Sequence, residues 1–475
     1  MDRYITGKRP HFRPVRRQSN FYHVMILLGM ILAGVWFLLA IQRGAVRKPF
    51  LPTPTPTRTA NSYIQEAQAY FEAGKLYDPD PPQPTPPHPD AIDTYQRALA
   101  LDEGNARIWG ELARIQAYSS SMLRNDMERK TRLDEALTSA DRAVALAPDD
   151  STVHAVRAFV LDWYASNSLV SPEKAQDKLN EANNEALRAY ELDHNNALAL
   201  AYYAEILIDQ QKFQQARKYA EQAVQQGPDL MDTHRAYGYV LETWGEYNSA
   251  IIQYLQAAKI TPNLTFLYVI IGRLYREGIH NPDRAIEYFD EAAGIDGQLG
   301  VENPIPYVEI ARTYTQMGQF FAAANNAKKA LEIDKYNANT YGQLGAIFIQ
   351  ARNYEGAKPL LQCAVVGCTP EQNEMGQVAV DRIPMTNLTV AYYYVQYGTV
   401  LAFLSKPNDN YCPEARQVLQ EVRQQYPKDK TLMQIVEDSE GICTRLEQGI
   451  LPGTPSSPGT GEPPATAPPI TPSPP

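Results

Sequence analysis

Cysteine is scarce in this sequence, with four in 475 residues, and histidine is little more frequent at seven. The histidines are scattered, and neither a His-x-x-x-His nor a Cys-x-x-Cys pair occurs. That excludes the usual spacings of zinc ligands. There is no Gly-rich phosphate loop and no Gly-x-Ser-x-Gly elbow, so nothing points to nucleotide-dependent or serine-hydrolase chemistry. No cofactor is implied, no catalytic group stands out, and the chain reads as a non-enzyme. Basic charge is also missing from most of the chain. Residues 1–48 hold nine Lys/Arg against one Asp, whereas the remainder holds 35 against 53 acids. A nucleic-acid binder needs a basic face to neutralise phosphates, so nucleic acid is excluded as a partner.

A long apolar run is present. Phe21 to Ile41 contains no Asp, Glu, Lys or Arg. As a helix it spans roughly 31 Å at about 1.5 Å per residue, the thickness of a bilayer's hydrocarbon core. A cleavable signal peptide has a shorter apolar region ending at a small-residue site. Here Arg43, Arg47 and Lys48 follow directly, which favours an uncleaved anchor. Six basic residues precede the run and three follow it, and Arg16-Arg17 is weighed only as a weaker twin-arginine signal. The positive-inside rule places the N-terminus in the cytoplasm and residues 43–475 outside it. The expected location is the cell membrane, single-pass.

Many of the 36 prolines cluster in 49–59, 79–89 and 449–475. The Pro/Thr alternation from Pro49 to Thr57 predicts an extended spacer. The tail has almost no bulk or charge and predicts disorder. The expected organisation is a basic leader (1–20), a transmembrane helix (21–42), a Pro/Thr-rich linker (43–60), a folded array (61–448) and a disordered tail (449–475).

The array declares itself by repetition. Ala197–Leu230 and Met231–Leu264 are consecutive 34-residue units. In the second, His234, Tyr237, Gly238, Leu241, Gly245, Tyr247, Ala250, Tyr254, Ala257 and Pro262 take positions 4, 7, 8, 11, 15, 17, 20, 24, 27 and 32. Leu200, Tyr203, Ala204, Leu207, Phe213, Ala216, Ala220, Ala223 and Pro228 fill the corresponding slots of the first. Small residues at 8, 20 and 27 let two antiparallel helices approach, large ones fill the space between, and the proline ends the second helix. The pattern extends through 265–297, with one residue inserted in the hairpin turn, then through 304–337, 338–370 and a unit around Tyr394. Upstream, the second helices are legible at Ala91-Tyr95-Ala98, Ala136-Ala140-Ala143 and Ala182-Ala186-Ala189, with lengthened turns at 77–89, 119–132 and 165–178.

This spacing resembles the tetratricopeptide repeat (TPR) family. The resemblance covers about nine repeats and a closing helix at 429–447. It implies an all-α fold, a right-handed TPR superhelix (α-solenoid) following one N-terminal transmembrane helix. It also implies a concave face, made by the first helices, that binds protein or peptide partners. The family's inner positions 2, 5, 9, 12 and 13 include Arg235, Arg273, Arg276 and Arg312, the candidate groove residues. The Asn elements of the family's carboxylate clamp are missing, so that ligand is not implied. Two readings stand: the arginines grip a partner's carboxylate, or they pair with Glu242 and Glu277 on a solvated face. His154 and His234, at position 4, read as packing or turn residues. Most tyrosines fall on core positions, but in Tyr392-Tyr393-Tyr394 at least one ring is expected to be exposed.

The cysteines all lie between 363 and 443, in the segment expected to be exported, where disulfides persist. Cys412 lies 15 residues before Pro427 and Cys443 16 after it. Two antiparallel helices about that turn bring the pair side by side. Cys363 and Cys368 then remain to close a local loop. Four small buried thiols are the other reading. The function expected is a membrane-tethered, non-catalytic scaffold binding a protein or peptide in the concave groove. The alternative is a regulatory or assembly subunit of an envelope enzyme, secretion or cell-wall complex.

Overall fold

The structure, a computed structural model, describes residues 20–43, 58–76, 89–167 and 169–449. The leader, most of the linker, the tail beyond Gly449 and the turn at 77–88 lie outside the described residues. The chain divides into two compact units, Met1–Arg58 and Thr59–Pro475. In the first, the apolar run forms a single helix, α1 (Phe21–Gln42). Phe21–Ala40 has a mean hydropathy of 2.3 and none of it is buried, so by length and composition it is able to cross a membrane.

The second unit is a series of helical hairpins. They are α2 (Ala60–Glu72) with α3 (Ala91–Leu99), α4 (Ala106–Ser120) with α5 (Asp126–Leu146), and α6 (Ser151–Ala165) with α7 (Pro172–Leu192). Next come α8 (Ala197–Asp209) with α9 (Phe213–Gln226), α10 (Met231–Thr243) with α11 (Tyr247–Ile260), and α12 (Thr265–Arg273) with α13 (Pro282–Leu299). The series ends with α14 (Ile305–Gln316) and α15 (Phe320–Ile333), α16 (Ala338–Gln350) and α17 (Tyr354–Val365), α18 (Leu388–Leu404) and α19 (Cys412–Gln425), and the closing helix α20 (Lys430–Glu447). The two helices of each hairpin pack on one another, and each hairpin packs on the next, giving an all-α solenoid.

Local chemistry sets the boundaries. Asp90, Asn125, Asp150, Ser171, Asn196, Asn281, Asn337, Asn387 and Asp429 each accept a backbone N–H at a helix start, a cap worth about 1 kcal/mol. Close packing needs the small residue at position 8. A Cβ on Gly238 would meet the Tyr254 ring at 3.0 Å, and one on Gly272 the Phe289 ring at 2.4 Å.

Two expectations from the sequence are corrected here. The extra residues at 119–132 and 165–178 do not lengthen the turns much: they extend α5 and α7 to 21 residues each, leaving 121–125 and 166–171 as connections. Asn125 and Ser171-Pro172 start those helices early. The extra residue in 265–297 is absorbed as a π-helical turn, Leu274–Gly278, closed by Ile279 N–H to Leu274 O at 2.9 Å.

The core falls mainly into two clusters. One collects buried residues from Ala67 to Ile310, the other from Ala311 to Cys443, so the division passes through α14. Two smaller clusters around Ala204 and Ala158 fill in beside the first.

Candidate protein-interaction surface

Inner positions of α4, α6, α8, α10 and α12 converge on one another across the array rather than facing an open groove. Asp232, at the start of α10, is 2% exposed. It accepts from Arg114 Nη1 at 2.9 Å and from the hydroxyls of Tyr118 and Tyr202 at 2.5 Å each. Burial opposes its charge, but Arg114 and the two hydroxyls outweigh that and hold its carboxyl below the usual range. Arg235 is 6% exposed and forms an ion pair with Glu205, itself 3% exposed, at 2.8 Å. Its guanidinium lies 5.2 to 5.9 Å from the ring centres of Phe159, Tyr118 and Trp163. Phe266 of α12 stacks on Tyr118 at 5.5 Å. The inner face from α4 to α12 is therefore filled by the protein's own side chains.

Arg235 is thus not a groove residue: an aromatic cage and Glu205 already hold it. Arg276 is corrected in the same way. Only 2% of its side chain is exposed, and it pairs with Glu309 at 2.7 Å and Glu277 at 2.8 Å. Arg273 and Arg312 converge on the same carboxylate, at 2.8 and 3.4 Å, but keep 34% and 24% of their side chains exposed. Burial raises the Glu309 carboxyl, yet the three guanidiniums prevail and hold it well below the usual carboxylate range. The solvated-face reading also fails in part. Glu277 does pair with Arg276, but Glu242 instead accepts from Tyr254 at 3.0 Å, and burial pushes its carboxyl up. The residues missed from the sequence are Arg114, Glu205, Asp232 and Glu309. For Arg114, Glu205 and Asp232 the available signal was opposite charges at inner positions of different repeats; Glu309, at position 6, gave none.

The remaining candidates lie elsewhere. Tyr393 and Tyr394 are buried and Tyr392 is partly buried, so the triplet offers no fully exposed ring. Tyr393 reaches Asn339 at 3.1 Å and Tyr394 the Ile383 carbonyl at 2.7 Å. His154 and His234 each bridge a neighbouring side chain and a proline carbonyl, Pro148 or Pro228. The Sγ atoms of Cys412 and Cys443 are bonded at 2.06 Å, joining α19 to α20, and those of Cys363 and Cys368 at the same distance. Cys368 pairs with Val380 in an isolated bridge, which folds the 366–387 insertion back on α17. Among the described residues, no group of three His, Cys, Asp or Glu is placed to hold a metal. An open cleft of about 490 Å³ beside Phe213 and Trp244 brings no titratable pair together. At inner positions from α12 onward, Arg273 and Arg312 stay partly exposed and Gln316 and Phe403 are exposed.

Residues 306–337 match the family model described as "Tetratricopeptide repeat". No curated protein matches the sequence. Among solved structures, the chain is similar over 81% of its length to the APC/C hetero-tetramer Cut9–Hcn1, at 14% identity and a TM-score of 0.48, and spans 65% of that chain. It is similar over 46% of its length to a thermophilic TPR protein of Thermus thermophilus, at 15% identity and a TM-score of 0.35, covering 98% of that chain.

Proposed function

We propose that this tetratricopeptide-repeat protein is a non-catalytic interaction scaffold, tethered to the cell membrane through α1 with its array on the outer side. The observation that carries the reading is the architecture: a run of stacked hairpins, one of them matched by the repeat family's model, followed by a closing helix. Such arrays present an extended surface to protein partners. The tether rests on the length and apolar character of α1, and its direction on the basic excess before it.

On this reading the partner contacts the array from α12 onward, since the earlier inner face is occupied. Arg273 and Arg312 share Glu309 and turn their outer edges to solvent. They are the groups placed to grip a partner's carboxylate, for which guanidinium has a bidentate geometry that lysine lacks. Arg235 and Arg276 serve the interior.

Co-purification from detergent extracts tests the proposal. Arg273→Glu with Arg312→Glu is expected to lose a partner that the native chain retains. Capture unchanged by the double variant refutes the carboxylate grip. A single stoichiometric enzyme partner makes the chain an assembly subunit. Protease added to intact spheroplasts is expected to remove the array, and full protection refutes the topology.

A further inference from the structure

The first hairpin meets the start of α12, 190 residues further along the chain. Asn263 Nδ2 donates to the Ala73 carbonyl at 2.9 Å. Gly74 follows with φ +73°, and a Cβ there would stand 2.4 Å from the Asn263 Cβ and 2.5 Å from its carbonyl oxygen. Phe71, on the last turn of α2, lies beneath Arg114, whose guanidinium is 4.9 Å from the ring centre. The array is thus closed on itself at two levels. The inner level is the Asp232 centre, fully buried and charge-assisted. The outer level is a neutral, partly buried hydrogen bond and a backbone contact that only glycine fits.

The two levels differ in strength and in attachment. A buried ion pair resists separation because each charge would be left without a partner. A neutral hydrogen bond at a partly wet surface exchanges readily with water. α2 packs chiefly on α3, whereas α4 packs on α3, α5 and α6. The α2–α3 hairpin is therefore the part of the closure with least to hold it. Its first helix, α2, is also the first of its unit, which begins at Thr59.

We propose that the α2–α3 hairpin is a latch: it lets go of Asn263 as a unit, lifts Phe71 off Arg114 and Tyr118, and leaves the Asp232 centre shut. Opening exposes one side of a guanidinium that is otherwise buried. The latch does not depend on what the array binds.

Hydrogen exchange on the full chain in detergent tests this with three variants. Gly74→Ala blocks the contact with Asn263. Asn263→Ala removes only the hydrogen bond and leaves the turn unstrained. Gly318→Ala is the control: at φ +73° it bears the same backbone penalty, with nothing within 4 Å of the added Cβ. In the first two variants, exchange across 60–76, 91–99 and 264–270 is expected to rise together by about tenfold, with α8 and α10 unchanged. The control is expected to raise exchange only around the α14–α15 turn. Exchange confined to the residues flanking Gly74, no rise in Asn263→Ala, or a rise that spreads into α10 each overturns the latch.

Discussion

The two main core clusters are built from the same hairpin but are locked differently. From α2 to the start of α14, distant helices are joined by a buried network: Arg114 and Asp232 lie 118 residues apart and Arg235 and Tyr118 lie 117 apart. From the rest of α14 to α20, the longest covalent clamp is Cys412–Cys443, across 31 residues. The first part closes around its own inner face and the second is stapled at its end. A repeat array is ordinarily stabilised between neighbours only. Here the N-terminal part departs from that rule, because non-neighbouring repeats share one ionic centre.

Breaking the ionic centre is expected to have the largest effect. Asp232→Ala leaves Arg114, Tyr118 and Tyr202 facing a buried void, a change that costs about 3–5 kcal/mol. Urea unfolding followed by region-resolved hydrogen exchange is expected to show the loss in residues 60–310 and little in 338–447. Equal loss in both parts would erase the distinction between them.

Removing the staple comes next. Replacing Cys412 and Cys443 by alanine is expected to destabilise α20 by about 2–4 kcal/mol, and the 5-residue loop of Cys363–Cys368 carries less, about 2 kcal/mol. Exchange in 430–447 measures the first, and an unchanged α20 would show that Thr399–Ser439 and the apolar contacts suffice.

A pH effect follows, at the junction of the two parts. Burial pushes the Asp296 carboxyl up to about 7, and its Oδ2 accepts from Asn303 at 2.9 Å. Its folded value lies above the unfolded one, so folding favours the proton. The group's contribution is fully present below about pH 4 and is lost as pH rises through about 7, by up to about 4 kcal/mol. Asp296→Asn is expected to flatten that slope in stability measured from pH 4 to 8; an unchanged slope would place the titration elsewhere. The smallest effect is expected at the exposed pair Arg124–Glu302, 3.3 Å apart. Arg124→Ala is expected to cost less than about 0.5 kcal/mol, and any cost to vanish in salt. A larger, salt-resistant loss would make this rim contact part of the closure.

The repeats are legible in the sequence because a hairpin's requirements are local. Gly238 under Tyr254 and Ala250 and Ala257 on the facing side follow from spacing alone. The filled inner face is not legible. Position 5 puts Arg235 on the inner side, but spacing within one repeat does not say that Tyr118, from a hairpin well before it in the stack, arrives opposite it. The long second helices read as loops because their added turns, Asp126 to Arg132 and Pro172 to Lys178, are polar. Polarity there does not mean a loop: Arg132 is buried and donates to Ser119 of α4 at 2.9 Å, and Arg129 donates to the Leu123 carbonyl. Spacing presents the four arginines as exposed, yet the charges that neutralise Arg235, Arg273 and Arg276 sit on a different helix, at Glu205 and Glu309, and Arg312 meets that same Glu309 three residues before it on α14.

The surplus residue at Leu274–Gly278 has a consequence for phase. Each residue of an α-helix advances the side chain by about 100°. By closing one turn through Ile279 to Leu274 instead of a residue earlier, the chain resets its angular count before the hairpin turn. Arg276 falls within that reset and points inward to Glu309, while Gly278 comes to rest against the Tyr247 ring, where a Cβ would stand 2.5 Å away. A deletion of one residue before Arg276 would restore the standard spacing of Ala285, Phe289 and Ala292 and rotate Arg276 by more than a quarter-turn away from Glu309. The added residue thus works as an aiming device.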